Sequence, residues 1–205
     1  MLPLVPEPTY RATVGSMEVD LPIVQLDDDL AIALLISVDL GIAFCERAAA
    51  ELVASLGELG IELVVSVATM GIPVALEVTR CLGLDQYVIL HKTPKIHLAD
   101  AVAEPVRSIT TAVDQRLLLD RRRIPVLAGR RVALIDDVVS TGASAAAALR
   151  LLRRVGAEPI AVGAIVTEGQ LWVDALGEDA AMVHALGTLP LFRPRGDGTF
   201  EVREG

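Results

Sequence analysis

The chain has 205 residues, of which 53% are hydrophobic and 3% aromatic, and its formal net charge is −9. A chain of this length can bury a substantial core, whereas its acidic balance argues against binding a nucleic acid polymer, which needs a basic face. Abundant Ala, Val and Leu suit parallel strands that are apolar on both faces, so the composition predicts one α/β domain over residues 1–205.

Neither a membrane span nor a secretion signal is predicted. The longest apolar stretch, residues 30–45, is interrupted by Asp39 and falls short of the roughly 18 residues that a spanning helix needs. Residues 1–8 lack the basic and continuous apolar regions of a signal peptide. We therefore expect no membrane partner and a cytoplasmic location.

The first predicted element is a proline-punctuated arm over residues 1–26. The acidic run 27–29 precedes an apolar stretch and is typical of a helix start, because carboxylates there cap free N–H groups; a metal site is the alternative. A second helix is predicted over residues 43–59, with Gly60 as its stop.

From residue 61 onward, short apolar runs alternate with helical patterns. Strands are predicted at residues 61–68, 87–90, 131–135 and 160–166, and helices at residues 74–82 and 143–155. This alternation indicates a doubly wound parallel sheet. The charged stretch 91–114 contains Pro94 and Pro105 and is expected to be a mobile excursion with β-hairpin character, and residues 170–205 a C-terminal extension.

Positive charge is concentrated in one part of this acidic chain. Residues 91–131 carry a net charge of +5, so the remainder carries −14. Both lysines of the chain, Lys92 and Lys95, lie in this segment. A local basic segment suits a small, multiply charged anion better than a polymer, although solvated surface charge is the alternative for both lysines.

Two adjacent acids, Asp136 and Asp137, follow the predicted strand 131–135. In open parallel sheets, ligands bind outside the carboxyl ends of the strands. The next residues, 141–144 (Thr-Gly-Ala-Ser), open a predicted helix, where N–H groups and hydroxyls can converge on a phosphate. A phosphate site with carboxylates beside it suits a sugar phosphate, because the acids can accept hydrogen bonds from sugar hydroxyls or hold a magnesium ion. The alternative is that Asp136 and Asp137 only end a strand and that Thr141 and Gly142 only turn the chain.

Other nucleotide-binding and metal-binding patterns are missing from the sequence. No Gly-x-Gly-x-x-Gly follows a strand and no Gly-x-x-x-x-Gly-Lys-Ser/Thr occurs, which disfavours a nicotinamide-dependent oxidoreductase and a nucleoside-triphosphatase. The three histidines, His91, His97 and His184, show no metal-ligand spacing. We therefore assign them no metal.

The stretch 132–144 resembles the signature of type I phosphoribosyltransferases: an apolar strand, two acids, three residues, and Thr-Gly-x-Thr/Ser. Residues 90–95 (Leu-His-Lys-Thr-Pro-Lys), 108–111 (Ser-Ile-Thr-Thr) and 166–169 (Val-Thr-Glu-Gly) are similar to the adenine phosphoribosyltransferase branch. The resemblance covers residues 61–169 and implies the type I fold, with a small hood or arm and a mobile loop.

The resemblance also implies an activity: transfer of phosphoribose from phosphoribosyl pyrophosphate (PRPP) to a purine-type base, with adenine as first choice, Mg²⁺ as cofactor and pyrophosphate as product. Asp136 and Asp137 would hold the ribose hydroxyls and the metal, and Lys92 would complete the catalytic set by neutralising the pyrophosphate. The other implied substrate-binding residues are Ala68, Thr69, Met70 and Gly71 of the pyrophosphate loop, Lys95, the mobile-loop residues Ser108, Thr110 and Thr111, and Val138, Val139, Ser140, Thr141, Gly142, Ala143 and Ser144 around the 5′-phosphate. Glu168, at a strand end, is expected to contact the base, with a simple turn as the alternative.

The loop 68–71 departs from the family pattern because it has no charged residue, where relatives often carry one. Ala143 also replaces a frequent glycine. An uncharged loop leaves a second class of function open, namely a PRPP- or nucleotide-sensing protein that kept the fold without turnover. The resemblance further implies a homodimer.

Overall fold

A computed structural model of the chain describes residues 8–98, 100–106, 115–196 and 198–203. Its strands, in chain order, are β1 (Thr9–Val14), β2 (Met17–Gln25), β3 (Ala31–Ala33), β4 (Leu63–Val67), β5 (Tyr87–Leu90), β6 (Ala101–Pro105), β7 (Arg116–Asp120), β8 (Arg131–Val139), β9 (Glu158–Glu168), β10 (Val183–Leu189), β11 (Leu191–Arg195) and β12 (Thr199–Val202). Its helices are α1 (Ile42–Leu56), α2 (Gly71–Cys81), α3 (Ile124–Leu127), α4 (Ala143–Arg154) and α5 (Leu171–Leu176). Within these ranges, no helix combines the length and the apolarity needed to cross a membrane.

The central sheet has five strands in the order β10–β9–β8–β4–β5, and all neighbouring pairs are parallel. Helices cover both faces. Ile135 of β8 packs in one core with α1 and α2, whereas its neighbour Leu134 packs in a second core with α4. The predicted doubly wound α/β sheet is therefore confirmed. The apolar runs of the sequence are strands buried on both faces, because their successive side chains pack alternately into the two cores.

A second sheet is built from both ends of the described chain, in the order β1–β2–β3–β11–β12. Residues 9–25, within the predicted arm, form the β1–β2 hairpin. Residues 170–205, predicted as an extension, contribute β10 to the central sheet and β11 and β12 to the second. The division of the chain into domains stays a prediction.

The helix predicted at the acidic run 27–29 is wrong. The carboxylate of Asp27 accepts a hydrogen bond of 2.9 Å from the N–H of Asp29, which closes a turn. The apolar residues that follow form β3, which pairs with β2 on one side and β11 on the other. Long-range pairing thus decided the structure of a short apolar run whose periodicity did not separate strand from helix.

The predicted hairpin character of residues 91–114 is confirmed in part: β6 lies within that segment and forms an antiparallel pair with β7, which begins just after it. This hairpin packs on α4. Glu104 of β6 forms ion pairs of 2.9 Å with both Arg150 and Arg154 of α4, and Leu117 and Leu119 of β7 are buried in the same core as α4. The hairpin therefore rests on the helix that begins beside the acid pair.

Candidate functional site

A cavity of about 490 Å³ opens at the carboxyl ends of β4, β8 and β9, where ligands bind in open parallel sheets. Three parts of the chain form its walls. Residues 32–36 comprise the end of β3 and the residues after it, and residues 67–70 comprise the end of β4 and the loop after it. Residues 136–142, 144 and 145 form a third wall, and Leu26, Lys92 and Glu168 complete the lining.

The acid pair lies inside β8, not after it. The strand was predicted to end at residue 135, but its pairing with β9 continues to Val139, opposite Thr167. Asp136 and Asp137 are therefore half-buried strand residues. The Asp136 carboxylate accepts a hydrogen bond of 3.1 Å from the N–H of Asp137, and both side chains line the cavity.

Burial raises the pKa of Asp136 well above its ordinary value, and the negative charge of Asp137 raises it further, while Lys92 opposes the shift. The pKa of Asp137 is also raised by burial, against hydrogen bonds to Asp136 and to backbone N–H groups that lower it. The protein alone therefore offsets the negative charge of the two carboxylates only in part. The pair should bind groups that supply positive charge or hydrogen-bond donors, such as a divalent cation or sugar hydroxyls.

The loop from β8 to α4 is shaped by Gly142, which caps α4 with a φ of 75° in the left-handed region. A Cβ on this residue would lie 2.9 Å from the Cα of Trp172, so the site excludes other side chains. The first helical residues beyond it include Ser144 and Ala145, which line the cavity. A helix N-terminus with free N–H groups and nearby hydroxyls is an anion site.

Glu168 is the last residue of β9 and is 6% exposed. Its carboxylate accepts a hydrogen bond of 2.7 Å from the hydroxyl of Ser140. Burial raises the pKa of Glu168, and the Ser140 hydrogen bond lowers it. Glu168 is thereby tied to the loop that precedes α4 while it lines the cavity. The sequence left a simple turn as the alternative role of this position, and in the structure the chain bends at the next residue, Gly169, whose φ is 58°.

The loop from β4 to α2 forms the opposite wall. Its Ala68–Thr69 peptide bond is cis, and its Met70 side chain is 37% exposed and lines the cavity. A Cβ built on Gly71, the first residue of α2, would overlap Oδ1 of Asp136. Glycine at this position therefore allows the N-terminus of α2 to approach the acid closely.

This loop is also held by Ser37, in the turn that follows β3, which sequence reasoning missed. The Ser37 side chain is fully buried, and its hydroxyl donates a hydrogen bond of 2.7 Å to the carbonyl oxygen of Met70. The thiol of Cys45 in turn lies 3.5 Å from the Ser37 carbonyl oxygen. Ser37 follows directly on the wall 32–36, so it links two walls of the cavity.

The family is decided by comparison with known proteins. The family model described as the phosphoribosyl transferase domain matches residues 40–182, which is more than half of the chain. The chain belongs to the phosphoribosyltransferase family. The resemblance stated from the motifs is thus confirmed, and the matched range includes every residue that lines the cavity except Leu26 and residues 32–36.

Curated phosphoribosyltransferases match parts of the chain. A xanthine phosphoribosyltransferase of Laribacter hongkongensis is 30% identical over 132 residues, which cover 64% of each protein. An adenine phosphoribosyltransferase of Mycobacterium avium is 48% identical over 67 residues, covering 33% of this chain and 32% of the relative. A hypoxanthine/guanine phosphoribosyltransferase of Methanobacterium lacus is 32% identical over 124 residues, or 60% and 61% of the two proteins. The chain spans less than two thirds of the length of these relatives.

Solved structures show the same fold. The adenine phosphoribosyltransferase of Giardia lamblia in complex with 9-deazaadenine has a TM-score of 0.66 at 20% identity, covering 81% of this chain and 93% of its own. The Trypanosoma brucei enzyme, in complex with AMP, pyrophosphate and ribose-5-phosphate, has a TM-score of 0.64 at 16% identity, covering 88% and 74%. The predicted type I phosphoribosyltransferase fold is therefore confirmed.

Most residues predicted from the family signature meet at one cavity. Those that line it are Ala68, Thr69, Met70, Lys92, Asp136, Asp137, Val138, Val139, Ser140, Thr141, Gly142, Ser144 and Glu168. Gly71 and Ala143 adjoin lining residues in the chain, while Lys95 is exposed and lies outside the lining. Ser108, Thr110 and Thr111 lie outside the described residues.

Proposed function

We propose that this chain transfers 5-phosphoribosyl from PRPP to a nucleobase and releases pyrophosphate. The observation that carries the proposal is the order of groups around one cavity: a helix N-terminus with hydroxyls, then two carboxylates, then a second helix N-terminus with Lys92 nearby. PRPP has the matching order of a 5′-phosphate, two ribose hydroxyls and a pyrophosphate. The family membership and the transferases among its relatives support the same activity.

The 5′-phosphate belongs in this proposal at the N-terminus of α4. Thr141 and Ser144 can donate from their hydroxyl groups, Ser140 could do so only by giving up its hydrogen bond to Glu168, and the first N–H groups of the helix have no intrahelical acceptor. The net positive end of the helix dipole adds to the attraction for a dianion. Because Gly142 fixes the turn through backbone geometry, this part of the site is formed before substrate arrives.

The ribose hydroxyls would donate hydrogen bonds to Asp136 and Asp137, and Lys92 is the cation among the described residues that acts on both carboxylates. The same oxygens fit Mg²⁺, which prefers hard oxygen donors and usually takes only one or two carboxylates from the protein, with the rest from substrate and water. The described residues contain no group of three or more His, Cys, Asp or Glu that could hold a metal, in keeping with a shared site of this kind. When bound, Mg²⁺ would offset the negative charge of the pyrophosphate.

The reaction breaks the bond between ribose C1 and a pyrophosphate oxygen, and the bonding electron pair leaves with pyrophosphate. A nitrogen lone pair of the base then forms the new C1–N bond, and the N–H proton that the base loses passes to solvent or to the departing pyrophosphate. Negative charge therefore grows on the side of residues 68–71 and Lys92, where a cation and backbone N–H groups stabilise it. The transition state has oxocarbenium character, so water must be kept from C1 to prevent hydrolysis of PRPP.

The acceptor base would lie against the apolar wall formed by the residues just after β3, namely Leu34, Leu35 and Ile36. Glu168, which lines the same cavity, would accept a hydrogen bond from an exocyclic amine or a ring N–H. Relatives that act on adenine, xanthine, hypoxanthine/guanine and orotate all match this chain, so a purine is supported only as the leading choice. Adenine remains the first base to test, in a purine-salvage role.

The decisive experiment incubates the protein with PRPP, Mg²⁺ and each of a panel of purines and pyrimidines, and detects new nucleotides by mass. A nucleotide product together with pyrophosphate supports the proposal. Binding of PRPP without any product would favour the alternative, a PRPP- or nucleotide-sensing protein. No binding and no product would contradict both. The homodimer and the cytoplasmic location stay predictions, and light scattering of the purified chain tests the first.

The role of the acid pair is tested by Asp137→Asn. Loss of a charge-assisted hydrogen bond costs about 1.5–3 kcal/mol, so the affinity for PRPP with Mg²⁺ should fall about ten- to a hundredfold. Asp85→Asn is the matched control, because Asp85 is exposed and precedes β5 at the opposite end of the sheet. Equal affinities of the two variants would show that Asp137 does not hold the ribose.

A further inference from the structure

One buried polar group close to the cavity has no assigned role. Ser66 lies in the middle of β4, whose other residues are Leu63, Val64, Val65 and Val67. Its side chain is fully buried, and its hydroxyl oxygen has no hydrogen-bond partner among the described residues. Buried hydroxyl groups are nearly always paired, because an unpaired one costs free energy that an apolar residue would avoid. An exception in an otherwise apolar central strand calls for an explanation.

The surroundings of this hydroxyl supply one. A Cβ built on Gly71 would lie 2.7 Å from Oγ of Ser66, and it would also overlap Oδ1 of Asp136. The hydroxyl and the carboxylate therefore border the same small space beneath the first residue of α2. Glycine at position 71 leaves that space free of a side chain between the two groups.

Ser66 approaches the acid from the core and not from the cavity. Val67 and Ala68, the next residues of the chain, line the cavity, whereas Ser66 does not. It cannot touch a substrate in the cavity, but it can act on a group that does. Residues behind a binding carboxylate commonly fix its orientation by hydrogen bonding.

We propose that Ser66 is a positioning residue for Asp136, an inference that rests on the proposed function. Once ribose hydroxyls or Mg²⁺ hold the Asp136 carboxylate from the cavity side, the Ser66 hydroxyl donates a hydrogen bond to it, directly after a small turn of the serine side chain about its Cα–Cβ bond or through one bridging water. A hydroxyl suits this task because it both donates and accepts. Among the described residues the hydroxyl has no partner without ligand, so a hydrogen bond made in the bound state contributes to affinity.

The test is Ser66→Ala, read by both melting temperature and binding. Removal of an unpaired hydroxyl should leave the melting temperature of the free protein unchanged or raise it. The affinity for ribose 5-phosphate with Mg²⁺ should fall about tenfold, because Asp136 loses its support. A lower melting temperature with unchanged affinity would overturn the proposal and assign Ser66 an ordinary structural role.

Two controls separate this role from general distortion. Ser37→Ala removes another fully buried hydroxyl, but one that has a partner in Met70; it should lower the melting temperature where Ser66→Ala does not. Inorganic pyrophosphate serves as the second probe, since its proposed site is the loop 68–71 and not Asp136. Its affinity should change less than about twofold in Ser66→Ala, within the effect of a distant substitution. An equal loss for both ligands would mean that the loop is distorted, and would overturn the proposal.

Binding by the wild-type protein separates a failure of the proposed function from a failure of the proposed role of Ser66. If wild type binds neither ribose 5-phosphate nor pyrophosphate, the proposed function fails, and the role of Ser66 fails with it. If wild type binds both ligands and Ser66→Ala binds them equally well, only the role of Ser66 is contradicted.

Discussion

The two loops on either side of the acid pair solve the same problem in different ways. Each leads from a parallel strand into a helix whose N-terminus faces the cavity, and each depends on a glycine. Gly142 is needed for its backbone, with a φ of 75°, and for its contact with Trp172. Gly71 has no positive φ and is needed only because a Cβ would meet Asp136 and Ser66.

This difference shows what a local motif contains. The loop before α4 carries most of its requirements in its own residues, a glycine for the turn and hydroxyls for the anion, and only the contact with Trp172 comes from elsewhere in the chain. The loop before α2 depends on a residue from β8, far along the chain, and its own residues look ordinary. One loop is therefore specified locally and the other by packing, and substitutions can separate the two cases.

The largest effect is expected from Gly142→Ala. A left-handed conformation costs a residue with a Cβ about 1–2 kcal/mol, and overpacking against the Trp172 backbone adds about 1–3 kcal/mol. Gly83→Ala is the matched control, since Gly83 has a φ of 70° with no atom within 4 Å of a built Cβ. Urea unfolding should show that Gly142→Ala loses clearly more stability than Gly83→Ala. Equal losses would mean that the contact with Trp172 carries no cost.

Gly71→Ala should have a somewhat smaller effect on stability, about 1–3 kcal/mol from overpacking alone. Its effect on PRPP binding should be severe, because α2 and Asp136 must move apart. Gly196→Ala is the control, as Gly196 has neither a positive φ nor any atom within 4 Å of a built Cβ. Titration calorimetry with PRPP and Mg²⁺ measures the result, and normal affinity in Gly71→Ala would contradict the close packing of α2 on the acid.

The acid pair should make the free protein less stable as the pH rises. Unfolded aspartates have a pKa of about 3.9, and burial raises the pKa of Asp136 and Asp137 in the folded state. Between these values the folded state binds more protons than the unfolded state, so the pair's contribution to stability falls with increasing pH. Asp136→Asn should therefore raise the melting temperature at neutral pH.

The same variant provides the pH test, because other carboxylates act in the opposite direction. Ion pairing with Arg11 lowers the pKa of Asp20, for example. The quantity to follow is the difference in melting temperature between Asp136→Asn and wild type. It should grow as the pH rises through about 4, because the unfolded aspartates ionise there while burial keeps the folded pair protonated to higher pH. A difference in melting temperature that is constant with pH would show that the pKa of Asp136 is not raised in the folded state.

The smallest effect is expected from Met70→Lys, which supplies the charge that the loop before α2 lacks. Met70 is exposed and lines the cavity, so the lysine should change the melting temperature little. It should tighten pyrophosphate binding by about tenfold or less, as one added charge contact does near a protein surface. If stabilisation of the leaving group limits turnover, the rate should also rise.

Leu76→Lys is the control for that substitution. Leu76 is also an exposed apolar residue of α2 but does not line the cavity. If the two lysine variants bind pyrophosphate with equal affinity, the tighter binding comes from the added net charge and not from the position of the lysine in the loop. A drop in melting temperature for Met70→Lys alone, without tighter binding, would remove Met70 from the pyrophosphate site.

The sequence predicted the central sheet well because its signals are local. The strand at residues 87–90 is reproduced by β5, and Gly142 marks the start of α4. The second sheet was missed because β3 pairs with β11 from the far end of the chain. Asp136 and Asp137 were predicted from an acid pair beside a loop, whereas a serine such as Ser66 in an apolar strand has no pattern of its own. Its interest comes only from the packing of α2.

The second sheet affects the order in which the protein can fold during its synthesis on the ribosome. β3, which begins the cavity wall 32–36, is held between β2 from the start of the chain and β11 from near its end. Strand pairing over such a separation must wait until both partners are present. The parallel core from β4 to β9 can collapse while synthesis continues, but the wall gains its second neighbour only after residues 191–195 leave the exit tunnel. A nascent chain should therefore acquire its acids and its anion loop before it can enclose a ligand.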